Sequence, residues 1–203
     1  EGTGTTGAVD VPLTAGFTGN LAVEVTGLAK AQSFAGTSTD IRASADDSQF
    51  FCVQVAAGSR AARFVLDAAN DAADMDLYVY SADDAACESL TDVAGESATG
   101  SADERVTLEA PAAGFYLVEV DPFSPAPGEP TLSWRLDFFD VAAGNQSGGF
   151  AASPNPVPVV ENRGTSFQAT WSGLEPDARY LGVLDYDGSL APTYVGVDTA
   201  VTP

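Results

Sequence analysis

The sequence has no histidine, a single lysine (Lys30) and two cysteines. Without histidine, neither a Ser-His-Asp triad nor a Cys-His nucleophile pair can be built within this chain. The common histidine-containing zinc sites are excluded for the same reason. Basic residues are also scarce: 8 Lys and Arg stand against 29 Asp and Glu, a formal charge of −21. Phosphate recognition needs Lys or Arg, so nucleic acids and anionic membrane surfaces should repel this chain. No apolar run reaches the roughly 18 residues that a membrane-spanning helix needs. The chain opens on Glu1-Gly2-Thr3-Gly4 with no initiating methionine and no signal peptide, which reads as a start inside a longer precursor. The acidity itself has a bland reading, a solvated surface, and two sharper ones, calcium sites or adaptation to high salt.

What the chain does have is 45% apolar residues, enough for a packed core, with 20 glycines and 12 prolines to punctuate it. No segment carries a convincing 3.6-residue period. The two-residue period of strands recurs instead. Arg63-Phe64-Val65-Leu66-Asp67 and Asp76-Leu77-Tyr78-Val79-Tyr80 flank the acidic loop Ala68 to Asp74. Arg105–Glu109 and Phe115–Asp121 flank a Pro/Gly turn. In Thr131–Phe138, Leu132, Trp134, Leu136 and Phe138 share one face while Ser133, Arg135 and Asp137 share the other. Thr165–Trp171, Tyr180–Asp187 and Thr193–Thr199 read as three more strands, with Phe167, Ala169 and Trp171 on one face. The expected fold is all-β, built of two small antiparallel β-sandwich units.

Residues 1–8 read as a Gly/Thr linker, followed by strands at Val9–Leu13 and Leu21–Thr26. Residues 27–48 are small and polar and suggest only weak structure, with a boundary at Ala45-Asp46-Asp47-Ser48. Ala82 to Ala102 reads as irregular, Pro122 to Pro130 as a loop and 142–149 as a second linker. Three or four strands after residue 144 are too few to bury a stable core. The expected organisation is therefore a central sandwich at 49–142 inserted in an outer one made of 1–48 with 144–203. Tandem units are the alternative.

The order of four motifs resembles the bacterial pre-peptidase C-terminal domain: Ala62-Arg63-Phe64, Asp74–Tyr80, Ser101–Leu108 and Pro111–Tyr116. The flanks Val11–Gly19, Thr170–Leu174 and Tyr180–Val183 are similar to the C-terminal region of secreted subtilisin-like serine proteases. The likeness covers nearly all of the chain. It implies jelly-roll or fibronectin III-like sandwiches in an extracellular, non-catalytic accessory region. The parent's catalytic residues would lie before residue 1, and the implied partners are its catalytic domain and its protein substrate. Such a region would aid stability, secretion or substrate engagement. A free-standing module that binds an extracellular polymer, or a purely structural surface domain, is the competing reading.

Cys52 lies in an apparent strand and Cys87 in a polar loop near strand ends, 35 residues apart. A disulfide between them is expected in a secreted chain; two separate buried thiols are the alternative. Calcium is the candidate small ligand. Asp71, Asp74 and Asp76 sit in and beside one loop, hard cations want several carboxylate oxygens, and some relatives of the resembled domain bind calcium. Their spacing matches no EF-hand, and a solvated turn with Asp side chains bonding its backbone is the competing reading. Paired carboxylates for glycoside hydrolysis carry little signal among 29 acids. No phosphate-binding glycine loop follows a strand. Trp134, Trp171, Tyr78, Tyr80 and Tyr116 read as core; Phe123, Tyr186 and Tyr194 read as candidates for exposure.

Overall fold

The structure, a computed structural model, describes residues 1–39, 47–129, 131–186 and 191–200. The chain divides into two compact units. The outer unit joins Glu1–Ala31 to Val141–Pro203, and the middle unit is Gln32–Asp140.

Four strands open the outer unit: β1 (Gly2–Thr3), β2 (Gly7–Thr14), β3 (Gly19–Leu21) and β4 (Val23–Lys30). The middle unit follows with eight: β5 (Gln32–Thr39), β6 (Gln49–Val55), β7 (Ala61–Ala68), β8 (Asp74–Ala82), β9 (Leu90–Ser97), β10 (Asp103–Glu109), β11 (Gly114–Ser124) and β12 (Thr131–Val141). After a 3-10 turn at Ala143–Asn145 come β13 (Gly149–Ser153), β14 (Val157–Val159), β15 (Gly164–Ser172), β16 (Arg179–Tyr186) and β17 (Thr193–Asp198).

The middle unit is a sandwich of two four-stranded sheets, ordered β10-β7-β12-β5 and β6-β11-β8-β9. Alternation of side chains along each strand sends one set inward. Phe64 and Leu66 of β7, Met75, Leu77 and Val79 of β8, Val118 and Val120 of β11, and Leu136 of β12 are all fully buried between the sheets. The Phe64 and Phe138 rings stack with centroids 5.0 Å apart, and Phe51 meets Trp134 edge-on at 5.8 Å. The outer unit has sheets ordered β1-β17-β16-β4 and β13-β15-β2, with a short β14-β3 pair. Its core gathers Leu28, Phe167, Ala169, Trp171, Tyr180 and Leu184. The fold is all-β and sandwich-like, as expected; β1 pairs with β17 in parallel, and β10-β7, β12-β5, β6-β11-β8-β9, β13-β15-β2, β14-β3 and β17-β16-β4 pair antiparallel.

Several expected loops and linkers are strands. Residues 1–8 supply β1 and the start of β2, because the Trp171 indole lies on them. A Cβ at Gly7 would come within 2.6 Å of that ring, and the indole N–H donates to the Gly4 carbonyl at 2.9 Å. The small, polar run after residue 27 holds the end of β4 and all of β5. There Gly36 lies directly opposite Trp134, whose Cε2 would be 2.8 Å from a Cβ. Small residues mark a socket for an aromatic ring here, not an absence of structure. The stretch 82–102 contains β9, β11 continues to Ser124 within the expected proline loop, and β13 begins inside the expected second linker. The expected boundary residues Ala45 and Asp46, and Asp187 of the expected strand Tyr180–Asp187, lie outside the described residues. The middle unit begins at Gln32 rather than residue 49, because β5 pairs with β12.

With its own buried core, Gln32–Asp140 expressed alone should melt in one cooperative transition with an ordered near-UV circular dichroism spectrum. A molten fragment would show that its packing depends on the outer segments.

Candidate functional site

The outward side of the β6-β11-β8-β9 sheet is unusual for an antiparallel sandwich. Such a face is normally polar, since water covers it. Here the register sets three rows across the strands. In one, Cys52 (β6), Leu117 (β11), Tyr80 (β8) and Val93 (β9) are neighbours; in the next, Phe50, Glu119, Tyr78 and Glu96; beyond these, Asp121 lies opposite Asp76. Phe50 and Val93, on the two edge strands, are 56% and 59% exposed, so apolar side chains of this face are open to solvent.

The tyrosines are held by the acids beside them. The Tyr80 hydroxyl donates to Glu119 Oε2 at 3.0 Å and the Tyr78 hydroxyl to Asp76 Oδ2 at 3.3 Å. Their rings stack with centroids 6.5 Å apart. Burial, followed by the Glu119 hydrogen bond, pushes the Tyr80 hydroxyl up to about 12. Burial and the Asp76 carboxylate raise Tyr78 as well. Both stay neutral donors at physiological pH. Tyr116, in contrast, is buried in the core. The expectation that Tyr78 and Tyr80 are core is corrected: Met75, Leu77 and Val79 fill the inward positions of β8, and Asp74, Asp76, Tyr78 and Tyr80 take the other parity. That parity, two aspartates followed by two tyrosines, was the signal in the sequence. Phe123 is exposed as expected, while Tyr186 is half-buried, its ring edge-on to Phe167.

Cys52 and Cys87 form a disulfide with Cα atoms 5.8 Å apart. Cys52 is on β6 and Cys87 in the turn after β8, and β11 lies between those strands, so the bridge ties the turn across the same face. Asp84 organises the turn by accepting from the backbone N–H of Ala86 and Ser89, each at 2.8 Å. Those donors, Ser89 first, hold its carboxyl below the ordinary value. A disulfide of this kind belongs to an oxidising compartment outside the cytosol.

The three candidate calcium ligands lie in and beside the turn that precedes β8. Asp71 is exposed in the turn before β8, Asp74 opens β8, and Asp76 is buried with its carboxylate against Tyr78. Among the described residues no three acidic, cysteine or histidine side chains gather in a metal-holding group.

Asp76, Asp103 and Asp121 are all raised above the ordinary aspartate value of 3.8. Burial is the leading cause for each. Nearby carboxylates add to it: Asp74 for Asp76, Asp67 for Asp103, Glu119 for Asp121. A raised folded-state value means the folded form holds the proton more tightly than the unfolded chain does. The stabilisation from these sites is full below 3.8 and is lost as pH rises through the folded values. The contribution of these sites to the melting temperature should accordingly grow as pH is lowered from neutrality toward 3.8, and Asp76→Asn should shrink that growth. An identical pH dependence of melting in the variant would contradict this assignment.

Two shallow depressions, one between Pro12–Thr14 and Gly164–Ser166 and the other between Val65–Asp67 and Asp103–Arg105, are open to solvent. No protein-family model matches the chain, and comparison with curated proteins finds no match. Among solved structures, the chain is similar to the crystal structure of Aeromonas hydrophila PliG, a periplasmic lysozyme inhibitor of g-type lysozyme, at 14% identity and a TM-score of 0.35, covering 55% of this chain and 86% of that one. A likeness of that size carries no argument about what this chain does.

Proposed function

We propose that this chain is a non-catalytic accessory region of a secreted protein, the C-terminal β region of a subtilisin-like serine protease, acting outside the cell. The observation that carries the reading is a sequence without histidine whose motif order resembles that region. An accessory role needs no catalytic base, and the disulfide suits an extracellular setting. The region would stabilise the catalytic domain, aid its secretion or engage its protein substrate. The test is the open reading frame upstream of the Glu1 codon. Asp, His and Ser motifs of a subtilisin-like enzyme there would support the proposal. A start codon and signal peptide directly before Glu1 would overturn it.

The exposed apolar face on β6, β8 and β9 favours a second reading, a module that binds an extracellular polymer. Cosedimentation with insoluble collagen or polysaccharide, lost in Phe50→Ser, would favour it over a purely stabilising role. Calcium is tested separately. If the chain binds it, a chelator should lower the melting temperature; an unchanged melting temperature would remove calcium from the reading.

A further inference from the structure

We infer that the outward face of the β6-β11-β8-β9 sheet is a docking surface for an arginine-bearing protein segment. The inference goes beyond the proposed function, since it holds whichever enzyme the chain accompanies.

Three features carry it. The face is apolar where water should make it polar: Phe50, Tyr80 and Val93 lie in adjoining rows around Leu117, with Phe50 and Val93 more than half exposed. An open apolar patch with a polar margin is the form of a protein-contact surface. The margin is of one sign. Asp76, Glu96, Glu119 and Asp121 occupy the rows beside the aromatics, and none of the four strands contains a Lys or Arg. Among the described residues these strands supply no cation to balance those carboxylates, and a partner that brings one would complement the face. Finally, the Tyr78 and Tyr80 hydroxyls are tied to Asp76 and Glu119, which fixes two ring faces next to carboxylates. A guanidinium fits that combination better than an ammonium, because its plane stacks on a ring while its fork reaches an acid. Aliphatic side chains between the arginines would cover Val93 and Phe50. A second copy of the chain, at a net charge of −21, would bring like charge to the same rows.

The test uses the full chain and two fluorescein-labelled decapeptides, one alternating Leu and Arg, the other alternating Leu and Glu, read by fluorescence anisotropy. The arginine peptide should bind, more weakly as salt is added, and the glutamate peptide should not. Two face variants are compared, Phe50→Ser with Val93→Thr and, separately, Glu96→Gln with Glu119→Gln. Each should weaken binding about tenfold or more, as loss of central contacts does. The control is Asp10→Asn with Glu24→Gln, exposed acids of the outer unit. It removes the same charge and should change affinity less than about twofold, as surface charges away from a contact do. Circular dichroism confirms that each variant is folded. No binding, or equal loss in the control and the face variants, would overturn the inference, the latter assigning the attraction to overall charge. A concentration-dependent dimer that Phe50→Ser abolishes would overturn it in favour of a second copy.

Discussion

Phe64→Ala should reduce the unfolding free energy of the middle unit by about 3–5 kcal/mol, the range for deleting a buried aromatic ring. Phe64 is fully buried near the centre of β7 and stacks on Phe138 of the same sheet. Met75, Leu77 and Val79 fill the opposing side of the core, and Leu66 is fully buried two residues along β7. The lost ring removes apolar burial, and the rigid sheets on either side cannot close over the void. A domain of this size is stable by roughly 5–15 kcal/mol in all, so the single substitution takes a large share. Chemical denaturation monitored by Trp134 fluorescence would measure it. A loss below about 1 kcal/mol, the scale of ordinary surface substitutions and less, would mean the core is far looser than described.

Removing the disulfide is the second large effect. Replacing Cys52 and Cys87 together by serine should cost roughly 3–4 kcal/mol, since a 35-residue loop is no longer closed in the unfolded chain. The same change frees the turn after β8 from β6. Asp84 still bonds the Ala86 and Ser89 amides, so the turn should keep its local shape while losing its tether. Hydrogen exchange would separate the two: protection should fall at the edge strand β6 more than at the turn amides bonded to Asp84. Adding reductant to the native protein should reproduce the variant's shift in denaturation midpoint. A double variant that unfolds at the native midpoint would show that the bridge contributes nothing.

The strands whose inward positions are all large and apolar could be read from the sequence. Leu132, Trp134, Leu136 and Phe138 announced β12, and Phe167, Ala169 and Trp171 announced β15. The strands that sequence reading lost are those whose neighbours carry the bulk. β5 is small-residued because Trp134 fills the space over Gly36, and β1 and β2 begin with glycines because Trp171 does the same over Gly7. β9 lacks an alternating apolar signal for a different reason. It is an edge strand with its most apolar residues, Leu90 and Val93, turned to solvent. The candidate face was hidden on the same grounds. Its Asp-Tyr parity lay within β8, but its breadth depends on β6, β9 and β11 lining up beside Tyr78 and Tyr80. That register is set by pairings across the fold, which no local pattern encodes.

The pairings of the outer unit join the two ends of the sequence. Gly2 lies beside Val197, Gly7 beside Trp171 and Thr26 beside Val183. A nascent chain emerges amino end first, so β1, β2 and β4 leave the ribosome or a translocation channel long before β15, β16 and β17 exist. By then every strand of the middle unit has already emerged. Connectivity thus sets a timetable: the middle sandwich closes early, and the outer seam waits for the final segment. In that interval β2 and β4 present unpaired backbone and the apolar residues Val11, Val23 and Leu28, the surface a holding chaperone would meet first.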